Sequence, residues 1–246
     1  MQTPPDWHES EEFWEIAEPI MFDENRLLMS GAEVENLLRL TGVKEESSVL
    51  DLCCGPGRHA IELSKRNFRV TGVDRTERYL ESARASGAKV DWRRADAREF
   101  VEPLAFDLVL NLYTSFGYFA SPEEDRKVAL NIYQSLKEGG KLVLSTLSKE
   151  TIARGFVEHS WDERGDYMVL EHRTLHSEFR AVENQWIVLK GDTRREVGFI
   201  VRLYSASEMR VLLEGVGFSH VRFYGSLAGT RYDQNADRMV VVATKG

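Results

Sequence analysis

The chain has 246 residues, 42% of them hydrophobic and 29% charged, the composition of a globular protein with room for one domain and an insertion, or for two small domains. No apolar run approaches the ~20 residues of a membrane span, and a net charge of −8 opposes non-specific binding to nucleic acid, which needs a basic face. The only two cysteines, Cys53 and Cys54, are adjacent, so they are badly placed to bridge or to chelate a metal together and read as small apolar fillers at a strand end.

Residues 1–9 are acidic and lack the apolar core of a signal peptide, so the expected location is cytoplasmic. Residues 1–45 are predicted to form an N-terminal helical segment. Ser10 opens a short helix that Pro19 stops. Asp23 caps a second helix, whose apolar face is Leu27, Val34, Leu37, Leu38 and Thr41 and which Gly42 ends. Trp7, Phe13, Trp14 and Phe22 crowd this segment; either they pack it against the domain, or Phe13 and Trp14 lie over a ligand as part of a lid.

Strands at 48–52, 68–73, 89–94, 106–113 and 141–147 then alternate with helices. Thr76 is placed to cap the helix that runs to 85. Ser121-Pro122-Glu123-Glu124 combines a cap, a first-position proline and a returning Glu, and Gly139-Gly140 is read as that helix's stop. Such alternation implies a parallel sheet with right-handed crossovers. Strand 106–113 is almost wholly apolar, as a strand buried on both faces should be.

From about 166 to 204 the rhythm becomes strand after strand, at 167–175, 178–189 and 196–204, with turns near 181–184 and 190–192. Residues 151–203 are therefore read as an inserted antiparallel sheet, serving as a substrate wall or a dimer contact. A helix starting at Ser205 and two strands, 218–224 and 239–244, return the chain to the main domain, which comprises 46–150 and 204–246.

The chemistry concentrates at Val49-Leu50-Asp51-Leu52-Cys53-Cys54-Gly55-Pro56-Gly57-Arg58-His59-Ala60. Strand, glycine turn and helix make a nucleotide cradle, because glycine lets the backbone approach a ligand and the helix start presents free N–H groups. The second strand ends on Asp74, a carboxylate able to accept hydrogen bonds from ribose hydroxyls. Residues 55–60 also satisfy the dinucleotide pattern G-x-G-x-x-G/A, so an NAD(P)-dependent oxidoreductase stays open. Asp51, which suits an amine-bearing ligand, and the closing strand hairpin lean away from NAD.

Residues 49–60 resemble the first motif of class I S-adenosylmethionine-dependent methyltransferases, and Asp74 resembles the acid that ends their second strand. The family usually has glycine two residues after the first acid; here that residue is Cys53. The resemblance implies a Rossmann-like, doubly wound α/β fold: a mostly parallel seven-stranded sheet with an antiparallel last strand. It also implies S-adenosylmethionine as cofactor and methyl transfer to N or O of a small molecule. On that basis Asp51 holds the amino end of the methionine part, Gly55 and Gly57 pass beneath the methionine and ribose, Asp74 binds the ribose, and Asp96 and Ala97 meet the adenine. Cys53, Arg58, His59, Arg75 and Leu112 share the pocket. Asn111 and Tyr113 line the methyl-facing end and, with Tyr118, align the substrate.

No fixed catalytic acid or base is required, because a sulfonium leaves readily and the protein mostly aligns the reactants. Substrate candidates are Trp14, Tyr118, His159, Arg173, His176, Arg231 and Tyr232. Nucleic-acid amino-methylating members carry an Asp/Asn-Pro-Pro-Tyr run; Asn111-Leu112-Tyr113-Thr114 lacks the prolines, which argues against base-flipping chemistry. An RNA or protein acceptor would need Arg173, Arg180, Arg194 and Arg195 on one face. No metal is expected, since Glu171 and His172 are strand neighbours on opposite faces. The molecule is expected to be a monomer or homodimer; a non-catalytic cofactor sensor is the third alternative.

Overall fold

The computed structural model describes residues 3–4 and 6–246. Met1, Gln2 and Pro5, part of the N-terminal stretch read as acidic and without a signal core, lie outside the described residues. Among the described residues no helix is long and apolar enough to cross a membrane.

The first five strands are β1 (Ser48–Leu52), β2 (Arg69–Asp74), β3 (Val90–Arg94), β4 (Phe106–Asn111) and β5 (Leu136–Thr146). Four strands follow, β6 (His159–Arg164), β7 (Tyr167–Leu175), β8 (Ala181–Lys190) and β9 (Thr193–Arg202), then β10 (Phe218–Tyr224) and β11 (Met239–Lys245). They form a seven-stranded sheet in the order β10-β11-β5-β4-β1-β2-β3 and a separate four-stranded sheet β6-β7-β8-β9. β11 runs antiparallel to both its neighbours, while the pairs from β5 across to β3 are parallel. This is the expected α/β sheet with its antiparallel strand. Strand order reverses between β1 and β4, and in open α/β sheets ligands bind at the carboxyl ends of strands flanking such a reversal.

Alternate residues of the central strands face opposite layers. Leu50 and Val109 join one core with Ile132 and Met209, whereas Val49, Leu108 and Leu110 join the other with Leu37 and Leu63. A third core unites the N-terminal segment with the inner face of the second sheet, through Trp7, Phe13, Ile16, Trp186 and Phe199.

The structure corrects several boundaries. α1 (Glu11–Met21) runs through Pro19 instead of stopping there; burial of Ile16, Ala17 and Ile20 against the second sheet outweighs the missing N–H. α2 (Glu24–Thr41) is capped by Asp23, which accepts from Arg26 N at 2.9 Å, and it ends at Gly42 with φ 65°. Its buried side, however, carries Ser30 and Glu33, and Leu27 is 49% exposed. α3 (Arg58–Ser64) follows the glycine bend, and α4 (Glu77–Ala85) has Thr76 at its cap position but without a side-chain cap bond.

α5 (Pro122–Ser135) has the predicted capping box at Ser121 and Glu124. It ends before the Gly139-Gly140 pair, which lies inside β5 where the register with β4 shifts between Phe106 and Leu108. The glycines make a strand bulge, with Gly139 at φ 73°. A short α6 (Lys149–Gly155) leads to β6, a strand without a sequence signal because as an edge strand it exposes residues on both faces. Residues 181–184 are not a turn: Val182 and Asn184 point inward in β8, and the reversal sits at Ser177–Phe179, where Glu178 has φ 61°. α7 (Ala206–Glu214) and the β10–β11 hairpin match expectation.

Candidate active site

β1 leads straight into the bend. Cys53, Gly55 and Gly57 have φ 61°, 56° and 79°. Cys53 therefore keeps the left-handed conformation that glycine would adopt freely, at a cost of about 1–2 kcal/mol for an L-residue. Burial pushes the pKa of both cysteine thiols up, in keeping with packing rather than nucleophilic roles. A Cβ on Gly55 would lie 2.7 Å from Cζ of Phe22, the residue that ends α1, and one on Gly57 would lie 2.2 Å from Cη2 of Trp92. The Gly57 requirement is thus met inside the protein, between α3 and β3. Asp74, at the end of β2, accepts from Gly55 N at 2.7 Å and from Thr76 N at 2.9 Å, locking the bend to the neighbouring strand.

A cavity of about 450 Å³ lies over this bend and reaches the inner face of the second sheet. At the bend end it is bordered by Asp51, Cys53, Gly55, Asp74 and Asp96, with Trp14 and Phe22 above. At the other end it meets Glu171, Arg173, Asn184 and Trp186. Asp51 is 2% exposed, and its Oδ2 has no hydrogen-bond partner. Burial pushes its pKa up, opposed by the nearby His59 and Arg58; burial likewise raises Asp74 against its backbone hydrogen bonds. The carboxyl accepts from the Ala60 backbone, and its remaining oxygen, left without a partner at a cavity, favours a cationic or N–H-bearing ligand.

At the β3 end, Asp96 accepts from Arg98 Nε at 3.0 Å and Nη2 at 2.7 Å. Burial opposes its ionisation, but these bonds outweigh it and hold the carboxyl below its usual range. Arg98 also reaches Glu9 and Glu124, each at 2.9 Å, tying the N-terminal segment to the cavity rim. His8 lines the cavity with neither ring nitrogen hydrogen-bonded, and burial lowers its pKa, which keeps the imidazole neutral.

A second network closes the opposite flank. Glu33 of α2 accepts from Arg58 at 2.5 Å, lies 2.7 Å from His59 Nε2, and accepts the Tyr113 hydroxyl. Burial opposes ionisation of Glu33, yet the hydrogen bonds of His59 and Tyr113, with the charge of Arg58, prevail and hold its pKa at about 2. Tyr113 and Thr114 have φ 56° and 68°, a strained pair at the carboxyl end of β4, where such strain gathers at functional sites. The guanidinium of Arg238 lies 4.9 Å from the Tyr113 ring centre and that of Arg26 5.7 Å. Burial lowers Arg238 to about 10. Tyr118 packs its ring 4.7 Å from Trp7, and burial pushes its hydroxyl pKa up.

The structure therefore gathers Asp51, Cys53, Gly55, Arg58, His59 and Asp74 around one cavity, with Arg75, Asp96, Leu112 and Tyr113 beyond them. Of the substrate candidates Trp14, Tyr118 and Arg173 join them. Gly57, Ala97 and Asn111 do not line it. Asn111 is fully buried and donates to Leu52 O at 3.2 Å, so it positions the loop after β4. Ala97 is core. His176 is exposed and faces Glu183 at 3.4 Å; Arg231 is exposed. Tyr232 hydrogen-bonds Ser148 at 2.7 Å and Glu150 at 3.1 Å, away from the cavity.

The basic face that an RNA or protein acceptor would need does not form. Arg173 turns into the cavity, while Arg194 and Arg195 pair with Glu196 and Glu15. His159 stacks on His172 across the β6–β7 register, and with Glu158 their ligand atoms lie within 4.8 Å of one another on the outer face. That group was hidden in the sequence because β6 was. Sequence reasoning also missed His8, Phe22, Arg26, Glu33 and Arg238. Glu33 could have been suspected, as a carboxylate on the buried stripe of α2; nothing local marks the others.

Residues 49–140 match the model of a methyltransferase domain. That stretch takes in the glycine bend, Asp74 and β4. A relative from Geobacillus sp. (strain WCH70) is 30% identical over 142 residues, covering 55% of this chain and 58% of the relative. The dTDP-3-amino-3,4,6-trideoxy-alpha-D-glucopyranose N,N-dimethyltransferase of Streptomyces venezuelae is 28% identical over 127 residues, 51% of this chain and 53% of that protein. The matched stretch thus spans little more than half the length of either relative. The CcbJ methyltransferase of Streptomyces caelestis shares the fold, with a TM-score of 0.78 at 18% identity over 88% of this chain and 96% of that one.

Proposed function

We propose that the protein transfers a methyl group from S-adenosylmethionine to a nitrogen or oxygen of a small-molecule acceptor. The observation that carries this reading is the partnerless Oδ2 of Asp51, buried beside a glycine bend that Asp74 ties to the next strand. These residues fit the cofactor. Asp51 would take the ammonium of its methionine part, and Gly55 supplies the left-handed bend at the cavity edge, its Cα side packed by Phe22. Asp74 would take the ribose hydroxyls, and Asp96 and the neutral His8 border the adenine end. The cofactor brings a methyl group on a sulfonium, a leaving group that needs no further activation, so what remains for the protein is alignment.

Tyr113, Thr114 and Tyr118 face the part of the cavity that runs on to the second sheet, where an acceptor would be held. Trp14, Trp186 and Phe199 give it apolar walls. Two observations weigh against a dinucleotide oxidoreductase: the antiparallel β11 between β5 and β10, and the unpartnered Oδ2 of Asp51. The length of the cavity beyond Tyr113 favours an enzyme over a sensor that only binds cofactor.

In the same reading the protein is cytoplasmic, works on a small molecule rather than nucleic acid, and is a monomer or homodimer. The S. venezuelae relative acts on an amino sugar nucleotide, one acceptor type to screen. Calorimetric titration with S-adenosylmethionine, S-adenosylhomocysteine and NAD tests the core of the proposal. The first two should bind one per chain, and Asp51→Asn should weaken both; binding of NAD alone would refute the assignment.

A further inference from the structure

We propose that the methyl acceptor is an anion whose carboxylate or phosphate group is gripped by Arg238, with Arg26 beside it; this deepens, and rests on, the methyl-transfer reading.

The two arginines differ from the rest of the cavity. Among the described residues neither has a carboxylate within ion-pair distance, whereas the other arginines at the cavity do, Arg58 with Glu33 and Arg173 with Glu171 among them. Arg238 Nε donates to Ser145 Oγ at 3.1 Å and its Nη2 to Thr114 Oγ1 at 2.5 Å, both neutral hydroxyls. Beyond these it lies over the face of Tyr113, which Arg26 and Arg58 share, with Glu33 acting only from beyond ion-pair distance.

Arg238 and Arg26 are half-buried, and holding a guanidinium even partly away from water without a paired carboxylate is costly. Burial already lowers the Arg238 pKa to about 10. The arrangement is what a site for an oxyanion requires: a forked donor, fixed at two of its nitrogens, with a second cation alongside.

Position assigns the anion to the acceptor rather than to the cofactor. Arg238 immediately precedes β11 and is anchored on Ser145 of β5 and on Thr114, just past β4. Asp51 lies on β1, and the order β5-β4-β1 separates it from β5 by two strand spacings, roughly 10 Å. Arg238 therefore stands across the Tyr113 loop from the end where the methionine part would sit.

The test uses protein loaded with S-adenosylhomocysteine and titrated calorimetrically with acetate, inorganic phosphate and neutral acetamide. Acetate or phosphate should bind saturably and acetamide should not; the tighter of the two tells a carboxylate acceptor from a phosphorylated one. Arg238→Gln, checked for folding by circular dichroism, should weaken the anion at least tenfold and leave S-adenosylhomocysteine within twofold, and Arg238→Lys should recover part of the loss. Arg26→Gln should weaken the anion about threefold.

The proposal is overturned if neither anion binds the loaded protein, or if both arginine variants bind it as wild type does. It is also overturned if Arg238→Gln loses S-adenosylhomocysteine but keeps 5′-methylthioadenosine, which lacks the amino-acid part: Arg238 would then grip the cofactor's own carboxylate. Failure of the wild type to bind S-adenosylhomocysteine at all sinks the methyl-transfer reading, and this proposal with it, and so is distinguishable from failure of the anion alone.

Discussion

Asp74 has two oxygens and uses both to hold the bend, at 2.7 Å to Gly55 N and 2.9 Å to Thr76 N. Each carboxylate oxygen can accept more than one hydrogen bond, so it can grip a ribose without releasing the backbone. Asp74→Ala should weaken S-adenosylmethionine by ~1.5–3 kcal/mol for each hydrogen bond lost, read by calorimetry; unchanged affinity in a folded variant removes Asp74 from the site. Glu33 titrates in the other sense. Its folded pKa, about 2, lies below the ordinary 4.5, so the stabilisation is complete above pH 4.5 and fades as pH falls towards 2. The shift corresponds to about 3 kcal/mol. Urea unfolding at pH 7 should show Glu33→Gln less stable by roughly that amount, and the gap to wild type should narrow below pH 4.5 and close only near pH 2. A gap independent of pH would mean that the loss is one of packing.

At the scale of elements, the bend is a packing solution as much as a binding one. Gly57 and Gly72 both yield space to Trp92, whose ring atoms would stand 2.2 Å and 2.4 Å from their added Cβ atoms. Gly57→Ala combines that clash with φ 79° and should cost 1–3 kcal/mol or more. Gly42→Ala, at φ 65° with nothing within 4 Å, should cost about 1–2 kcal/mol from backbone strain alone. Denaturant midpoints of the two variants check the order; equal losses would mean that Trp92 relaxes. The glycine pair at 139–140 makes the complementary point. The same residue type that ends α2 opens a bulge in β5, and the difference lies in what β4 offers as a partner.

For the whole molecule, the N-terminal segment and the second sheet form one body over the mouth of the parallel sheet. Phe13 is 3% exposed between Trp7 and Phe199, while the neighbouring Trp14 borders the cavity. The two roles considered for these aromatics are divided between adjacent residues, because one turn of α1 presents one to the core and the next to the cavity. Phe13→Ala should therefore lose 3–5 kcal/mol of stability, measured by urea unfolding. Trp14→Ala should lose less stability and more cofactor affinity; the reverse ranking would contradict this division.

Local rules were enough for the strand–helix alternation, the bend at Gly55 and Gly57, the acid at Asp74, and the caps at Asp23 and Ser121. Apolar period, glycine turns and capping residues act over a few positions, so they can be read along the chain. The sequence alone thus determined the class of the sheet and the glycine bend at one end of the cavity. The tertiary structure decided the rest. It carried α1 through Pro19, hid β6 at an edge, drew Glu33 to Arg58, His59 and Tyr113, and left Arg238 without a counter-charge. Those outcomes depend on which distant side chains share a buried space, and burial sets both the cost of a charge and the worth of its partner; no pattern along the chain records it.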